Sequence, residues 1–489
     1  MFPRFRRFVG CCLAAAGLAF VVCRAAGTAD SEVCIIGSRL ELFADDSLVG
    51  RLDGTALRLH APCPAGEAIR FDQPWEGAFA GYVTVIQDDA RYLMYYRGLP
   101  VSVADGTTNE VTCLATSDDG IRWRKPALGL YEVHGTRSNN VVLAAQPPFS
   151  HNFAPFLDRR PGIPADERFK AFAGTSSTGL HVFASADGTR WRRWSPGPVI
   201  TRGAFDSQNV GFWSELEGRY VVYVRTWTGG EFAGFRTISR AESTDLLRWS
   251  RPMAMSFGGT PMEHLYTSQT HPYFRAPHLY VATPMRFVPG RRVLSPAQAR
   301  DLGVDPDYAG DAAETVFMTS RGGYRYFRTF MEGFIRPGTD PGNWASRAGM
   351  SASGVIPTGP AEMSLFKQAH YAQPSARLDR YTLRTDGFAS VHAPFEGGEF
   401  TTRALRFTGT ELVLNVGTGA AGGVRVEIQD ADGNPVPGHA LADAEELAGD
   451  DIARVARWKS GPGLGAAVGR VVRLRFAMKD ADLYSMRFR

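Results

Sequence analysis

A tight acidic turn recurs along this chain with an aromatic residue a few positions behind it. Ser117-Asp118-Asp119-Gly120-Ile121-Arg122-Trp123 is matched by Ser185-Ala186-Asp187-Gly188-Thr189-Arg190-Trp191 and by Ser243-Thr244-Asp245-Leu246-Leu247-Arg248-Trp249. A looser copy runs from Ser320 to Phe327, and a degenerate fifth is Arg384-Thr385-Asp386-Gly387-Phe388. A short run of alternating apolar residues precedes each turn: Arg91 to Tyr96, Arg168 to Phe172, Arg219 to Val224, His278 to Ala282 and Glu362 to Phe366. Asp and Gly supply the backbone geometry of a hairpin turn, and the aromatic packs back between neighbouring sheets. Units of roughly 50–85 residues holding about four short strands each are the size of propeller blades. Five copies therefore predict an all-β fold, a five-bladed β-propeller over residues 40–394. Helical periodicity is nearly absent. The best short candidate runs from Ser295 to Leu302, with Ser295 as the cap and Pro296 at the first helical position.

The texture changes at Phe395. Segments at 404–407, 411–416, 424–428 and 471–476 alternate as strands without the acidic turn, and predict a C-terminal β-sandwich over 395–489. Gly417-Thr418-Gly419-Ala420-Ala421-Gly422 matches the dinucleotide fingerprint, but that fingerprint needs a helix next, whose N-terminus holds a pyrophosphate. A strand pattern follows instead, and the segment reads as a glycine-rich hairpin.

The front end reads as an export signal. Residues 1–7 carry three arginines, 9–22 form an apolar run, and the small residues Ala25, Ala26, Gly27 and Ala29 follow. Fourteen apolar residues span only about 21 Å as a helix, short of a ~30 Å hydrocarbon core. The expectation is a signal peptide over 1–26, a secreted or periplasmic protein, and no membrane insertion after cleavage. Lys+Arg number 54 against 50 Asp+Glu, and the excess is the four arginines that precede every acidic residue. A mature chain at charge balance has no general electrostatic attraction to nucleic acid or anionic lipid. Cys34, Cys63 and Cys113 allow one disulfide at most, and their spacing fits no zinc motif.

In a propeller the innermost strands crowd the axis, so polar residues just before or within the first strand of each blade are the site candidates. These segments hold three carboxylates from different blades, Glu76, Asp206 and Glu263. Such a set suits glycoside cleavage, which needs one acid for the leaving oxygen and one carboxylate as nucleophile or base. Candidates for sugar binding are Trp75, His151, Asn152, Gln208, Asn209, His264, Tyr266 and Trp344, with Arg225, Arg286 and Arg347 for hydroxyls or a carboxylate. Each acid also has a local reading: Glu76 as a turn residue, Asp206 capping its own loop, Glu263 paired with His264. His264, His271 and His278 are seven apart, but Pro272 and Pro277 exclude a shared helix, and no metal site is read from them. No organic cofactor is implied; a structural calcium at the axis is compatible with the fold.

The five-fold repeat, the Ser-x-Asp-Gly-x-x-Trp turns and the export signal together resemble the five-bladed propeller glycosidase superfamily. That group includes the invertase-like glycoside hydrolase family 32 and the arabinanase-like family 43. Ala44-Asp45-Asp46-Ser47-Leu48, Asp72 to Gly77, Phe205 to Asn209, Glu263 to Thr267 and Ala481 to Tyr484 are similar to segments of an uncharacterised exported bacterial subgroup. The resemblance implies a carbohydrate substrate and carboxylate acid/base chemistry at the propeller mouth. Those families use an Asp, an Asp and a Glu from the first three blades. Here the first blade offers Glu76, the second Asp158, and the remaining strong acids fall in the third and fourth. The expectation is an exported glycoside hydrolase; the alternative is a catalytically silent propeller that binds carbohydrate or protein. Cleavage predicts the three acids in one funnel. Silence predicts them scattered around the rim, or neutralised by Arg225 and Arg347.

Overall fold

The computed structural model describes residues 33–102, 106–230 and 232–489; the expected signal peptide lies outside them. The fold is nearly all β, with a single short α-helix, Pro296–Asp301, among the described residues. Ser295 caps that helix as its sequence predicts: its hydroxyl accepts from the Gln298 amide, and the Gln298 side chain accepts from the Ser295 amide.

Each of the first three repeats forms one antiparallel four-stranded sheet. The first comprises Gly81–Asp88, Arg91–Gly98, Val111–Ser117 and Val141–Leu143; the second Ala154–Leu157, Phe169–Ala173, His181–Ser185 and Arg192–Arg193. The third comprises Val210–Ser214, Arg219–Trp227, Arg236–Ser243 and Met253–Ala254. The fourth repeat is split into two three-stranded sheets. Ala276–Ala282 belongs to one and Met285–Val288 to the other, with Thr283 and Pro284 between them. Proline lacks the N–H that would continue the ladder. The fifth sheet is Ile356–Pro357, Glu362–Ala369 and Arg377–Arg384, and its outer strand, Cys63–Arg70, comes from the front of the chain.

The recurring turn works as its chemistry predicts. Asp119 Oδ1 accepts from the amides of Ile121 and Arg122 at 2.9 and 2.8 Å, while Ser117 Oγ accepts from Gly120 at 2.9 Å. Asp187 and Asp245 repeat the arrangement. These amides hold Asp119 below the usual carboxylate range. The aromatic behind each turn packs against the preceding sheet. Trp191 reaches Tyr95 of the first sheet at 6.0 Å, Trp249 reaches Phe172 of the second at 5.5 Å, and Tyr326 reaches Tyr223 of the third at 6.0 Å. Phe388 stacks on Phe317 at 5.1 Å, and Trp123 of the first sheet meets Phe366 of the fifth at 5.8 Å. The packing thus returns to where it started.

The leading strands of the sheets face one another and are joined by side-chain amides. Gln208 Nε2 donates to Val83 O and Thr84 Oγ1 at 3.0 and 2.8 Å, and Gln269 Nε2 donates to Gln208 Oε1 and Ser351 O at 2.8 and 2.7 Å. Ser353 closes the set against the first sheet through the Val83 carbonyl and the Val85 amide at 2.9 and 2.8 Å.

A separate ten-stranded system is built on Leu412–Gln429 and Val471–Phe488, which pair antiparallel over their length. Its core includes Phe400, Phe407, Leu414, Val426, Trp458, Phe476 and Phe488, all at most 1% exposed. Strands Val49–Asp53 and Ala56–Leu59, which the repeat count groups with the front of the propeller, pair here with Gly398–Thr402 and Ala389–Ala393. The glycine-rich segment is no hairpin. It is a bulge inside one strand, where the register shifts between Thr418 and Gly423 opposite Asp480.

Candidate functional site

The starts of the leading strands converge, and there the structure gathers Asp206, Tyr82, Tyr266, Tyr371 and four arginines. Arg97 and Arg225 occupy equivalent positions in the second strands of the first and third sheets, Arg236 begins the next strand, and Arg347 precedes the fifth sheet. Asp206 pairs with Arg225, and its side chain keeps 29% of its surface exposed. The Asp206 carbonyl accepts from Tyr82 Oη at 3.0 Å, and the Tyr82 and Tyr266 hydroxyls lie 3.3 Å apart. Guanidinium groups cover the Tyr266 ring: Arg225 at 5.0 Å, Arg347 at 5.2 Å and Arg236 at 5.7 Å. Arg97 lies 4.7 Å over Tyr82 and donates to Phe79 O and Tyr371 Oη at 2.9 and 3.2 Å.

Backbone strain accompanies this convergence. Tyr82 and Arg347 sit at φ +52° and +65°, in the left-handed region that non-glycine residues adopt at a cost of about 1–2 kcal/mol. Tyr82 lies where the pairing of its strand shifts register between Gly81 and Thr84, a bulge that redirects its ring. Strain of this kind collects at functional sites.

The charges act on the phenols. Burial alone would push the Tyr266 hydroxyl up, but Arg347 and Arg225 outweigh it and draw its pKa below the ordinary tyrosine value. Tyr82, fully buried and facing the Tyr266 phenol, is pushed well above that value.

His151 lies beside this group. Its Nδ1 is 2.8 Å from Glu110 Oε1 and 3.3 Å from Arg97, and its ring meets the edge of Tyr82 at 5.6 Å. Glu110 is buried and also accepts from the Gly106 amide. His264 borders the far side, its Nδ1 accepting from the Arg236 amide at 3.2 Å within a ring of Phe235, Trp227 and Phe287. Burial and then Arg236 lower its pKa.

The other two expected catalytic carboxylates are elsewhere. Glu76 is fully buried; Lys125 Nζ lies 2.5 Å from Oε2, Tyr96 Oη donates to Oε1 at 2.6 Å, and the Gln73 amide donates to Oε2 at 3.0 Å. Both oxygens are consumed holding the entry to the first sheet. Glu263 is clamped by Arg286 at 2.5 Å and by Arg328 at 3.1 and 3.2 Å, and Arg286 is shared with Glu314 at 2.5 Å. Arg286 is accordingly a scaffold residue of the fourth repeat. Asp158 is buried against Tyr220 Oη at 2.8 Å and Lys170 at 3.4 Å.

Several binding candidates are likewise structural. Trp75 is buried and donates to Asn140 Oδ1 at 2.9 Å. Asn152 bridges the second and third sheets through Gly174 O, Phe205 O and Ser207 O, and Asn209 braces the same loop through Phe205 O and Ser207 O. Gln208 belongs to the amide chain that joins the leading strands. Trp344 donates to Gly338 O at 2.9 Å and packs beside Leu294. Of the expected set, Asp206, Arg225, Tyr266, Arg347, His151 and His264 come together. Tyr82, Arg97, Arg236 and Tyr371 are additions.

Two larger openings lie apart from this cluster. A cavity of about 320 Å³ at the opposite ends of the leading strands is lined by Ile86, Phe156, Trp213, Phe274 and Ile356. A cleft of about 590 Å³ runs past Pro62, Phe334, Asp340, Arg377 and Tyr381. Among the described residues, no group of three His, Cys, Asp or Glu side chains is arranged to hold a metal ion, and no helix is long and apolar enough to cross a membrane.

No protein-family model matches the sequence, and no curated protein matches it. Solved structures that are similar include one titled a glycoside hydrolase, at TM-score 0.45 and 13% identity over 66% of this chain and 92% of the other. Another is an N-acetylgalactosamine deacetylase from F. plautii bound to blood group B trisaccharide, at TM-score 0.45 and 13% identity over 68% and 96%. A fructofuranosidase from Schwanniomyces occidentalis, complexed with fructosylnystose, covers 86% of this chain and 96% of its own at 9% identity and TM-score 0.39. Similarity at this level assigns no activity to the chain.

Proposed function

We propose that this chain is an exported, glycoside hydrolase-like protein. In this reading five propeller blades surround an axis, closed by Cys63–Arg70, and a β-sandwich of both chain ends packs beside them. Carbohydrate binds at the axial end that holds Asp206. The observation that carries the reading is the trio of Asp206, Tyr82 and Tyr266: the partly exposed Asp206 pairs with Arg225, its carbonyl accepts from Tyr82 Oη at 3.0 Å, and Tyr82 Oη lies 3.3 Å from the Tyr266 hydroxyl, whose ring Arg225 and Arg347 cover.

The trio supplies both proton transfers of a hydrolysis. Tyr266 donates its proton to the leaving glycosidic oxygen as the C–O bond breaks. Asp206 takes a proton from the water that adds to the anomeric carbon, and the two protons re-equilibrate with solvent. The arginines stabilise the phenolate left on Tyr266. A second reading, binding without cleavage, is favoured by one specific observation: all three expected acids are paired with cations, Asp206 with Arg225, Glu76 with Lys125, and Glu263 with Arg286 and Arg328. The test is sugar release from a panel of aryl furanosides and pyranosides, with thermal stabilisation by the free sugars measured in parallel. Turnover that disappears in Tyr266→Phe with melting unchanged supports hydrolysis. Sugar-dependent stabilisation without turnover on any member selects the binding reading, and neither effect refutes both.

A further inference from the structure

Arg97, Arg225, Arg236 and Arg347 bring four positive charges to one end of the ring, where Asp206 and Glu110 are the carboxylates at hand. Glu110 is already held by His151 and the Gly106 amide, which leaves Asp206 to face the set. Arg97 and Arg225 are only 6% and 5% exposed. The Nε atoms of all four arginines are buried with no hydrogen-bond partner in the protein. Buried guanidinium groups are costly unless paired, and a planar fork of donors is matched by a carboxylate or a sulfate ester. The aromatic faces of Tyr82, Tyr266 and Tyr308 hold the planes of these groups, which fixes their donors in advance. Neutral sugars need no such charge. Their hydroxyls are served by amides and carboxylates, and an excess of cations at an axial mouth would be a penalty without return.

We propose that the site is selective for an anionic glycoside, whose carboxylate or sulfate is received between Arg347, Arg225 and Arg236. This rests on the carbohydrate reading above and adds the substrate's charge to it.

The test is calorimetric binding of methyl β-D-glucuronide, methyl β-D-galactoside 6-sulfate and neutral methyl β-D-glucoside to the mature chain. At least one of the two anions should bind tenfold or more tightly than the glucoside, with affinity falling as sodium chloride is raised. Preference for the glucuronide identifies a carboxylate as the group received, and preference for the sulfated sugar identifies a sulfate ester. Arg347→Gln should weaken that anion at least tenfold and weaken the glucoside by less. Arg236→Gln, which breaks no ion pair, should weaken it in a protein that still folds. Equal affinity for charged and neutral probes, no binding of either anion at millimolar concentration, or anion binding indifferent to both substitutions would overturn the proposal. Anion binding that depends on these arginines in a protein that cleaves nothing counts against hydrolysis alone. Cleavage of neutral glycosides with no preference for charge counts against this inference alone.

Discussion

Replacing Glu76 by alanine separates a structural acid from a catalytic one. The carboxylate is fully buried and accepts from Lys125, Tyr96 and the Gln73 amide. Removing one partner of a buried pair costs about 3–5 kcal/mol. Lys125 would keep Arg70 O at 2.6 Å and Asp72 at 2.8 Å, which limits its share of the loss. The Tyr96 hydroxyl would keep only the Asn140 amide that donates to it, and its own proton would be stranded at about 1–3 kcal/mol. The expected loss is therefore at the low end, about 3 kcal/mol, read as a lower urea midpoint with unchanged slope. Glu76→Gln, which keeps the volume and one acceptor, should lose about half as much. Ligand binding by the folded fraction should be unaltered in both. A Glu76→Ala protein of wild-type stability that has lost binding or turnover would refute the reasoning and return Glu76 to the chemistry.

Acid should weaken the fold through His271, whose burial lowers its pKa to about 4 despite a bond to the Gln269 carbonyl. Because the folded state resists protonation, this stability is whole above the unfolded value near 6.5 and drains as pH falls toward 4, by ~3 kcal/mol, which urea midpoints at pH 7 and 4 would show. Glu41 extends the loss. Burial opposes its ionisation, but His278 and Arg321 hold it down at about 2, so its contribution drains below pH 4.5, and Glu41→Gln should flatten that part of the profile. Gly354 sits at φ +114°, where a Cβ would strike the Val85 carbonyl that borders the seam between the fifth and first sheets. Gly354→Ala should therefore cost at least ~2 kcal/mol in urea denaturation, whereas Gly129→Ala, with open space at its turn, should cost less.

The repeat was legible because its chemistry is local: Ser117, Asp119 and Gly120 satisfy one another within a few residues, and the copies at Asp187 and Asp245 carry the same letters. Long-range strand pairing was not legible. Cys63–Arg70 pairs with Arg377–Arg384 more than 300 positions away, and nothing in its own pattern names that partner. The same holds for Val49–Asp53 and Ala56–Leu59, whose partners lie beyond residue 388. Among the site residues, Asp206 could be picked out because it lies just before the leading strand of the third repeat, Val210–Ser214. Glu263 and Glu76 look identical in sequence to free acids, and only the arrival of Arg328 and Lys125 from later in the chain consumes them. One signal was present and unread. Arg97 lies near the end of its strand six residues after Arg91, just as Arg225 does six after Arg219, so two repeats carry the same cation at the same position.

The central claim is that Asp206, and not the other expected carboxylates, serves the site. Its most direct test is kcat/KM for the best glycoside of the panel in Asp206→Asn and Glu263→Gln, measured side by side with their urea midpoints. Asp206→Asn should lose roughly 10²–10⁴-fold in kcat/KM per folded molecule, with a stability loss confined to its pair with Arg225. Glu263→Gln, which breaks a clamp of two arginines, should lose stability and keep kcat/KM per folded molecule. Wild-type kinetics in Asp206→Asn, or lost turnover in a stable Glu263→Gln protein, would contradict the account.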